Sequence, residues 1–302
     1  MNGVLVIDKP SGLTSHDVVN RVRRLVGQRS IGHLGTLDPL ATGVLPLVIG
    51  NLTRLAQFYT ASEKSYEGII RFGFATDTYD ADGSPAEPTQ PVALSREQVE
   101  DTAARFRGSI EQVPPPFSAK KIQGVPAYKL ARKNKDVALK PVRVEIKEFE
   151  ILEVDGDRAR FRSRVSSGTY MRCVAHDMGQ HLGYGAHLES LRRTAVAEFT
   201  IADAHTLQEV EAAIERFPVD ELFVHPRKLL PQLPSVTATE EDASKIRSGR
   251  AVNLSELSRA RQVKVFAGQR ELIAIATRIA GTLFHPRIVF AADQLNLANQ
   301  NR

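Results

Sequence analysis

The 302-residue sequence predicts an α+β fold: strands and amphipathic helices in mixed order, then a smaller, mostly β unit at the C-terminal end. Three observations carry this. Runs with period-two alternation are interleaved with helices opened by Ser or Thr. The composition shifts at a stretch punctuated by Pro226, Pro231 and Pro234. Beyond it, one short helix is followed by three strand-like runs. With 42% hydrophobic and 25% charged residues, the chain can build an ordinary soluble core. At roughly 100–200 residues per domain, the length suits one large unit or one large and one small.

Gly3 to Asp8 (GVLVID) reads as a short buried strand. Ser15 to Val26 reads as a helix capped by Ser15, with Val18, Val22, Leu25 and Val26 on one face and Gly27 as its stop. Val44 to Ile49 is an apolar run. Tyr66 to Phe74 alternates through Gly68, Ile70 and Phe72, the period of a strand. Ser95 to Phe106 reads as a helix with a Ser95–Gln98 capping box. Val142 to Leu152 and Ala159 to Val165 read as a hairpin turning at Asp155-Gly156. Met171 to Leu182 is a helix ended by Gly183, and Thr206 to Phe217 is another with a Thr206–Glu209 box. After the proline-rich linker come a helix, Thr239 to Ile246, and strands at Val263 to Phe266, Leu272 to Ala276 and Leu283 to Val289.

Several function classes are disfavoured. The single cysteine, Cys173, cannot form a disulfide within the chain, and a reducing, cytoplasmic setting is expected. The N-terminal MNGVLVIDKP is too short and too soon charged for a signal peptide. No apolar run approaches ~20 residues, so no membrane span is expected. The histidines show no paired metal-ligand spacing, and no metal is expected.

The net charge is +5, and its placement matters more than its size. Between Ser118 and Arg143 stand eight basic residues (Lys120, Lys121, Lys129, Arg132, Lys133, Lys135, Lys140 and Arg143) and one acid, Asp136. That local excess is larger than the whole chain's, so the remainder is slightly acidic. The window follows a proline run and reads as a phosphate-contacting arm, although most charge runs are simply solvated loops. Arg158, Arg160, Arg162 and Arg164 share one face of a strand. They suit RNA contact or protection of an edge against aggregation.

Residues 33 to 43, HLGTLDPLATG, hold a lone carboxylate, Asp38, between Gly35 and Gly43 and before Pro39. By spacing alone, an Asp-Pro pair is an ordinary turn or helix cap. The surrounding blocks add a resemblance. GHLGTLDPLATGVLP (Gly32 to Pro46) resembles the signature of the TruB-type pseudouridine synthases. DKPSGLTSHDVV, KSYEG with ATDTYDADG, PPPFSAKKIQGVPAYKLAR, and SSGTYMRCVAHDMG with GAHLESLRR resemble further motifs of that family. They stand in family order and cover most of residues 4–200.

The resemblance implies conversion of the T-loop uridine-55 of tRNA to pseudouridine by an isomerase that needs no cofactor. Asp38 would be the nucleophile, with small neighbours at Gly35 and Gly43 letting a nucleotide approach. Arg172 would pair with Asp38, and Tyr66 would stack on the uracil and help remove the C5 proton. His33 would hold flipped nucleotides. Tyr170 would pack against the site, and Leu191 would form its apolar wall. Lys120, Lys121 and Arg132 would grip RNA from an insertion spanning about 114–143. Lys9 and Pro10 would shape structure. Cys173 would be a small buried hydrophobe.

The implied fold is a pseudouridine synthase core over 1–231, a mixed, largely antiparallel sheet with flanking helices, followed by a PUA-like β-barrel over 232–302. The length suits the bacterial, stand-alone type, expected to be a monomer with tRNA as its partner. A non-catalytic T-arm binder or tRNA-folding chaperone on the same scaffold is the competing reading. A carbohydrate-active enzyme using Asp38 is a third, which the basic window disfavours.

Overall fold

The computed structural model describes residues 1–115, 140–254 and 259–290, and the backbone at 121–122 and 125–126. In chain order its first strands are β1 (Gly3–Lys9), β2 (Ile31–His33), β3 (Thr42–Ile49), β4 (Lys64–Phe72), β5 (Gly108–Gln112), the short pair β6 (Lys121–Ile122) and β7 (Val125–Pro126), β8 (Val142–Asp155), β9 (Arg158–Val165), β10 (Ala186–Val196), β11 (Phe199–Thr200) and β12 (Ala204–His205). All but β6 and β7 form one ten-stranded sheet in the order β12-β1-β3-β10-β4-β9-β8-β5, with β2 beside β3 and β11 beside β10. Only β1 with β12 and β3 with β10 run parallel, so the sheet is mixed and largely antiparallel.

The helices are α1 (Ser15–Val26), α2 (Ala56–Tyr59), α3 (Arg96–Ala104), α4 (Met171–Leu182), α5 (Leu207–Ile214) and α6 (Glu240–Arg247). A second, five-stranded sheet holds β13 (Ser235–Ala238), β14 (Val252–Asn253), β15 (Gln262–Ala267), β16 (Glu271–Ala280) and β17 (Leu283–Val289). Among the described residues no helix is long and apolar enough to cross a membrane.

The large sheet is covered on both faces, which explains why β1 and β3 read as unbroken apolar runs rather than alternating ones. Leu5, Ile7, Leu45 and Leu47 face a core with Val18 and Val22 of α1, Val174 and Met178 of α4, and Val210 of α5. Val4, Val6, Val44 and Val48 face the other way, into a core shared with Phe266, Leu272, Ile275 and Ile288 of the second sheet. Pro46 is tolerated inside β3 because the pairing of that strand changes there. Thr42 and Gly43 pair with β10, whereas Leu47 to Ile49 pair with β2. The loop carrying Asp38 crosses this gap, and the Pro46 carbonyl accepts from Leu34 N–H at 2.9 Å.

Several local expectations need correction. The cap of α1 is Thr14, in a box with Asp17, not Ser15, whose side chain turns inward. α5 ends at Ile214, short of Phe217, and β4 ends at Phe72, short of Phe74. The capping boxes at Ser95–Gln98 and Thr206–Glu209 are present. The arginine stripe on β9 does lie on one face, but it is not a bare cationic strip. Arg158 meets Glu189 at 2.9 Å, Arg162 meets Glu67 at 3.2 Å, and Arg164 meets Glu148 at 2.6 Å. Arg160 lies 4.0 Å from Glu153. This is a cross-strand ladder of exposed, solvent-screened ion pairs, each contributing little to stability. It leaves little net field for a phosphate backbone.

Candidate active site

Buried side chains fix the loop between β2 and β3. Lys9, fully buried at the end of β1, donates from Nζ to the carbonyls of Pro10 (2.9 Å), Leu13 (2.6 Å) and Pro39 (3.1 Å). Ser15 receives the Leu37 N–H at 2.8 Å and donates to the Leu37 carbonyl at 3.1 Å. Arg193, on β10 and also fully buried, donates to the carbonyls of Gly35 (3.0 Å), Thr36 (3.3 Å) and Val44 (2.7 Å). Asp38 is thereby held at both flanking peptides. No helix follows it. Its carbonyl instead accepts the Ala41 N–H at 3.1 Å, closing a turn, so the helix-cap reading does not apply.

The two glycines have an internal reason. A Cβ on Gly43, at φ +100°, would lie 2.2 Å from the Arg193 carbonyl oxygen, where β3 and β10 touch. A Cβ on Gly35, at φ +108°, would lie 3.3 Å from Lys64 Cε and 3.5 Å from Arg193 Nη1. Gly43 is thus required by the close approach of β10, whereas Gly35 also lines the cleft described below.

Arg172 is the second residue of α4 and is only 4% exposed. Its Nε lies 2.9 Å from Asp38 Oδ2, and its Nη1 lies 3.3 Å from Asp80 Oδ2. Nη1 also donates to the Thr78 carbonyl at 3.1 Å. Asp80 is buried and accepts in turn from the Thr78 hydroxyl and from the Asp82 N–H. Between these two contacts Tyr79 takes φ +65°, a left-handed conformation costly for a bulky residue. Its ring stacks on His176, one turn along α4, at 3.8 Å between centroids. At the N-terminus of the same helix, buried Gln112 makes a reciprocal pair with the Tyr170 backbone, accepting at 2.8 Å and donating at 3.1 Å.

Asp38, Tyr66, Tyr170, Arg172 and Leu191 all line one cleft of about 290 Å³, with Lys64, Thr36, Ala41, Thr60 and the 167–169 turn. Tyr66, from β4, is 7% exposed, and the Arg193 guanidinium acts on its phenol electrostatically. Burial pushes the Tyr66 phenol up. Burial likewise pushes the Asp38 carboxyl above its ordinary value, while Arg172 pulls it back and Asp80 adds to the rise. The Asp38 side chain is 38% exposed to the cleft, against 5% for that of Arg172, so the carboxylate keeps some access to water.

His33 closes β2 just before the loop and does not line the cleft. Lys120, Arg132 and the side chain of Lys121 lie outside the described residues. Three groups gained no weight from the sequence: Asp80, Lys64 and Arg193. All sit inside quoted motifs (ATDTYDADG, KSYEG and SLRR), but nothing in their spacing separates a buried cleft charge from a solvated one. Among the described residues no cluster of three His, Cys, Asp or Glu side chains could hold a metal ion.

Comparison with known proteins gives the same family twice. A model for the TruB family pseudouridylate synthase N-terminal domain matches residues 23–171, and one for the tRNA pseudouridylate synthase B C-terminal domain matches residues 172–228. The tRNA pseudouridine synthase B of Solibacter usitatus is 50% identical over 294 residues, spanning 96% of this chain and 100% of that protein. That of Aquifex aeolicus is 38% identical over 295 residues, covering 96% and 100%. Among solved structures, a crystal structure of a Cbf5-Nop10-Gar1 complex superposes with a TM-score of 0.70 at 24% identity, over 96% of this chain and 85% of that one.

Proposed function

This chain belongs to the TruB family of pseudouridine synthases, and from that premise we propose that it isomerises uridine-55 in the T-loop of tRNA, with Asp38 as the nucleophile. It is an isomerase that forms pseudouridine in tRNA. The observation that supports the finer reading is the Asp38–Arg172 ion pair at 2.9 Å, placed in a cleft bordered by Tyr66 and Leu191.

The reaction breaks the N1–C1′ bond, turns the uracil and joins C5 to C1′. The C5 proton is lost and N1 gains one, so atoms and electrons balance without a redox or energy-carrying partner. An ionised carboxylate serves each available route: addition at C1′, addition to the base, or removal of the C2′ proton. Arg172 holds that carboxylate ionised and aimed. Stacking on Tyr66 contributes ~1–3 kcal/mol toward holding an extruded base, and the Tyr66 hydroxyl is assigned to help remove the C5 proton. Leu191 keeps water from the cleaved glycosyl centre. Tyr170 supports the wall, His33 holds the flipped neighbours, and Lys120, Lys121 and Arg132 contact phosphate. The protein works in the cytoplasm as a stand-alone monomer, with a catalytic unit over 1–231 and a PUA-like unit over 232–302. The start of the second sheet at Ser235, beyond both family-model matches, supports that division.

The test is tritium release from C5-labelled uridine in a T-arm hairpin and in a full tRNA transcript, with the modified position mapped. Release from position 55 alone is expected. A protein that binds the hairpin but releases no tritium would be the folding chaperone of the competing reading. The pH dependence follows from the direction of the Asp38 shift. Because burial raises this carboxyl, its active ionised form is lost on acidification sooner than that of an ordinary aspartate. The acid limb of kcat/KM is therefore expected above the reference value of 3.8. A limb at or below that value would contradict the account of Asp38.

A further inference from the structure

We propose that Lys64 forms an anion subsite in the cleft, which binds the phosphodiester group of the RNA backbone adjoining the flipped uridine. The inference rests on the tRNA reading above and adds to it a ligand for one unassigned side chain.

The charged residues lining the cleft are Asp38, Arg172 and Lys64. Asp38 and Arg172 neutralise each other, and Arg172 is shared with buried Asp80. Lys64 has no such partner. Its Nζ donates to the Ser62 carbonyl at 2.7 Å, and no carboxylate lies within 4.0 Å of it among the described residues. Two of its three N–H donors are left for a ligand. The Arg193 guanidinium lies against the same loop residue, Gly35, so two cations crowd one side of the cleft. Burial and Arg193 together push the Lys64 ammonium down to about 8. A half-buried cation with a like charge beside it is unfavourable in the free protein, and a bound anion relieves it.

Position argues for phosphate rather than a base carbonyl. Lys64 and Tyr66 are two residues apart on β4, so they share a face with Cα atoms about 6–7 Å apart. A base stacked on Tyr66 brings its own backbone to that distance. A neutral carbonyl would leave the lysine charge uncompensated, whereas a phosphodiester monoanion matches it.

The experiment uses T-arm hairpins carrying one uncharged methylphosphonate at each linkage around the target uridine. Binding is measured by fluorescence anisotropy for wild type, Lys64→Met and Lys64→Arg. One linkage is expected to weaken wild-type binding about tenfold when neutralised. The same hairpin should change Lys64→Met binding less than twofold, and Lys64→Arg should keep the sensitivity. Wild-type binding equally indifferent to every linkage, or a loss retained in full by Lys64→Met, would overturn the proposal. If Lys64→Met fails to fold, Lys64→Gln takes its place in the same scan, and wild-type indifference to every linkage refutes the proposal without either variant. Tritium release by wild type on the unmodified hairpin reports separately on the isomerase reading.

Discussion

Replacing Arg172 with alanine costs the protein both stability and activity. The guanidinium is 4% exposed and is the cation that meets both Asp38 and Asp80. Removing it strands the Asp80 carboxylate, itself 4% exposed, without a counter-charge. Breaking a buried pair from one side typically costs about 3–5 kcal/mol. The Thr78 hydroxyl and Asp82 N–H remain on Asp80, so the lower end of that range is expected. The urea midpoint should fall with the slope of the transition unchanged. The kcat should drop by roughly 10²–10³, because Asp38 loses the group that orients and ionises it. Arg172→Lys keeps the charge but not the fork that spans two carboxylates, and should fall between. The double variant Arg172→Ala/Asp80→Asn separates the two effects. Neutralising the stranded acid should restore most of the stability and none of the turnover. An Arg172→Ala protein within 1 kcal/mol of wild type would show that the Asp38–Arg172–Asp80 arrangement is not what holds this site together.

Features set by local chemistry were legible in the sequence. The alternation of Tyr66, Gly68, Ile70 and Phe72 marks the buried face of β4, and the Ser95 and Thr206 boxes open α3 and α5 as their spacing requires. The motif blocks pointed to Asp38, Tyr66, Tyr170, Arg172 and Leu191, which the fold brings to one cleft from four separate segments of the chain. What sequence reasoning missed depends on tertiary packing. β10 carries no clear period because bulges between Leu188 and Ser190, and between Arg193 and Ala195, shift its register, and because one of its fully buried residues is an arginine. Arg193 looks like a surface charge until the carbonyls of Gly35, Thr36 and Val44 converge on it. Asp80 likewise owes its role to a partner more than ninety residues away in the chain. The β9 stripe shows the same limit from the other side. Its four arginines were visible, but the acids that neutralise them come from β4, β8 and β10, as well as from Glu63 and Asp157.

Asp38→Asn is the change with the largest expected effect on chemistry. The amide is nearly isosteric, and the loop is held by Lys9, Ser15 and Arg193 through its backbone, so the fold and the cleft should survive. What disappears is the nucleophilic and basic oxygen. Loss of a group that acts directly on the reacting atoms costs several orders of magnitude, and a fall of at least ~10⁴ in rate is expected. Binding should change little, because backbone phosphates carry most of the affinity for RNA.

The direct measurement is single-turnover tritium release from a saturating, C5-labelled T-arm hairpin, with the bound fraction determined in the same samples for wild type and Asp38→Asn. The account predicts full binding by both proteins, stoichiometric release by wild type and none above background by the variant. Release by Asp38→Asn at a rate within tenfold of wild type, on RNA shown to be bound, would contradict it.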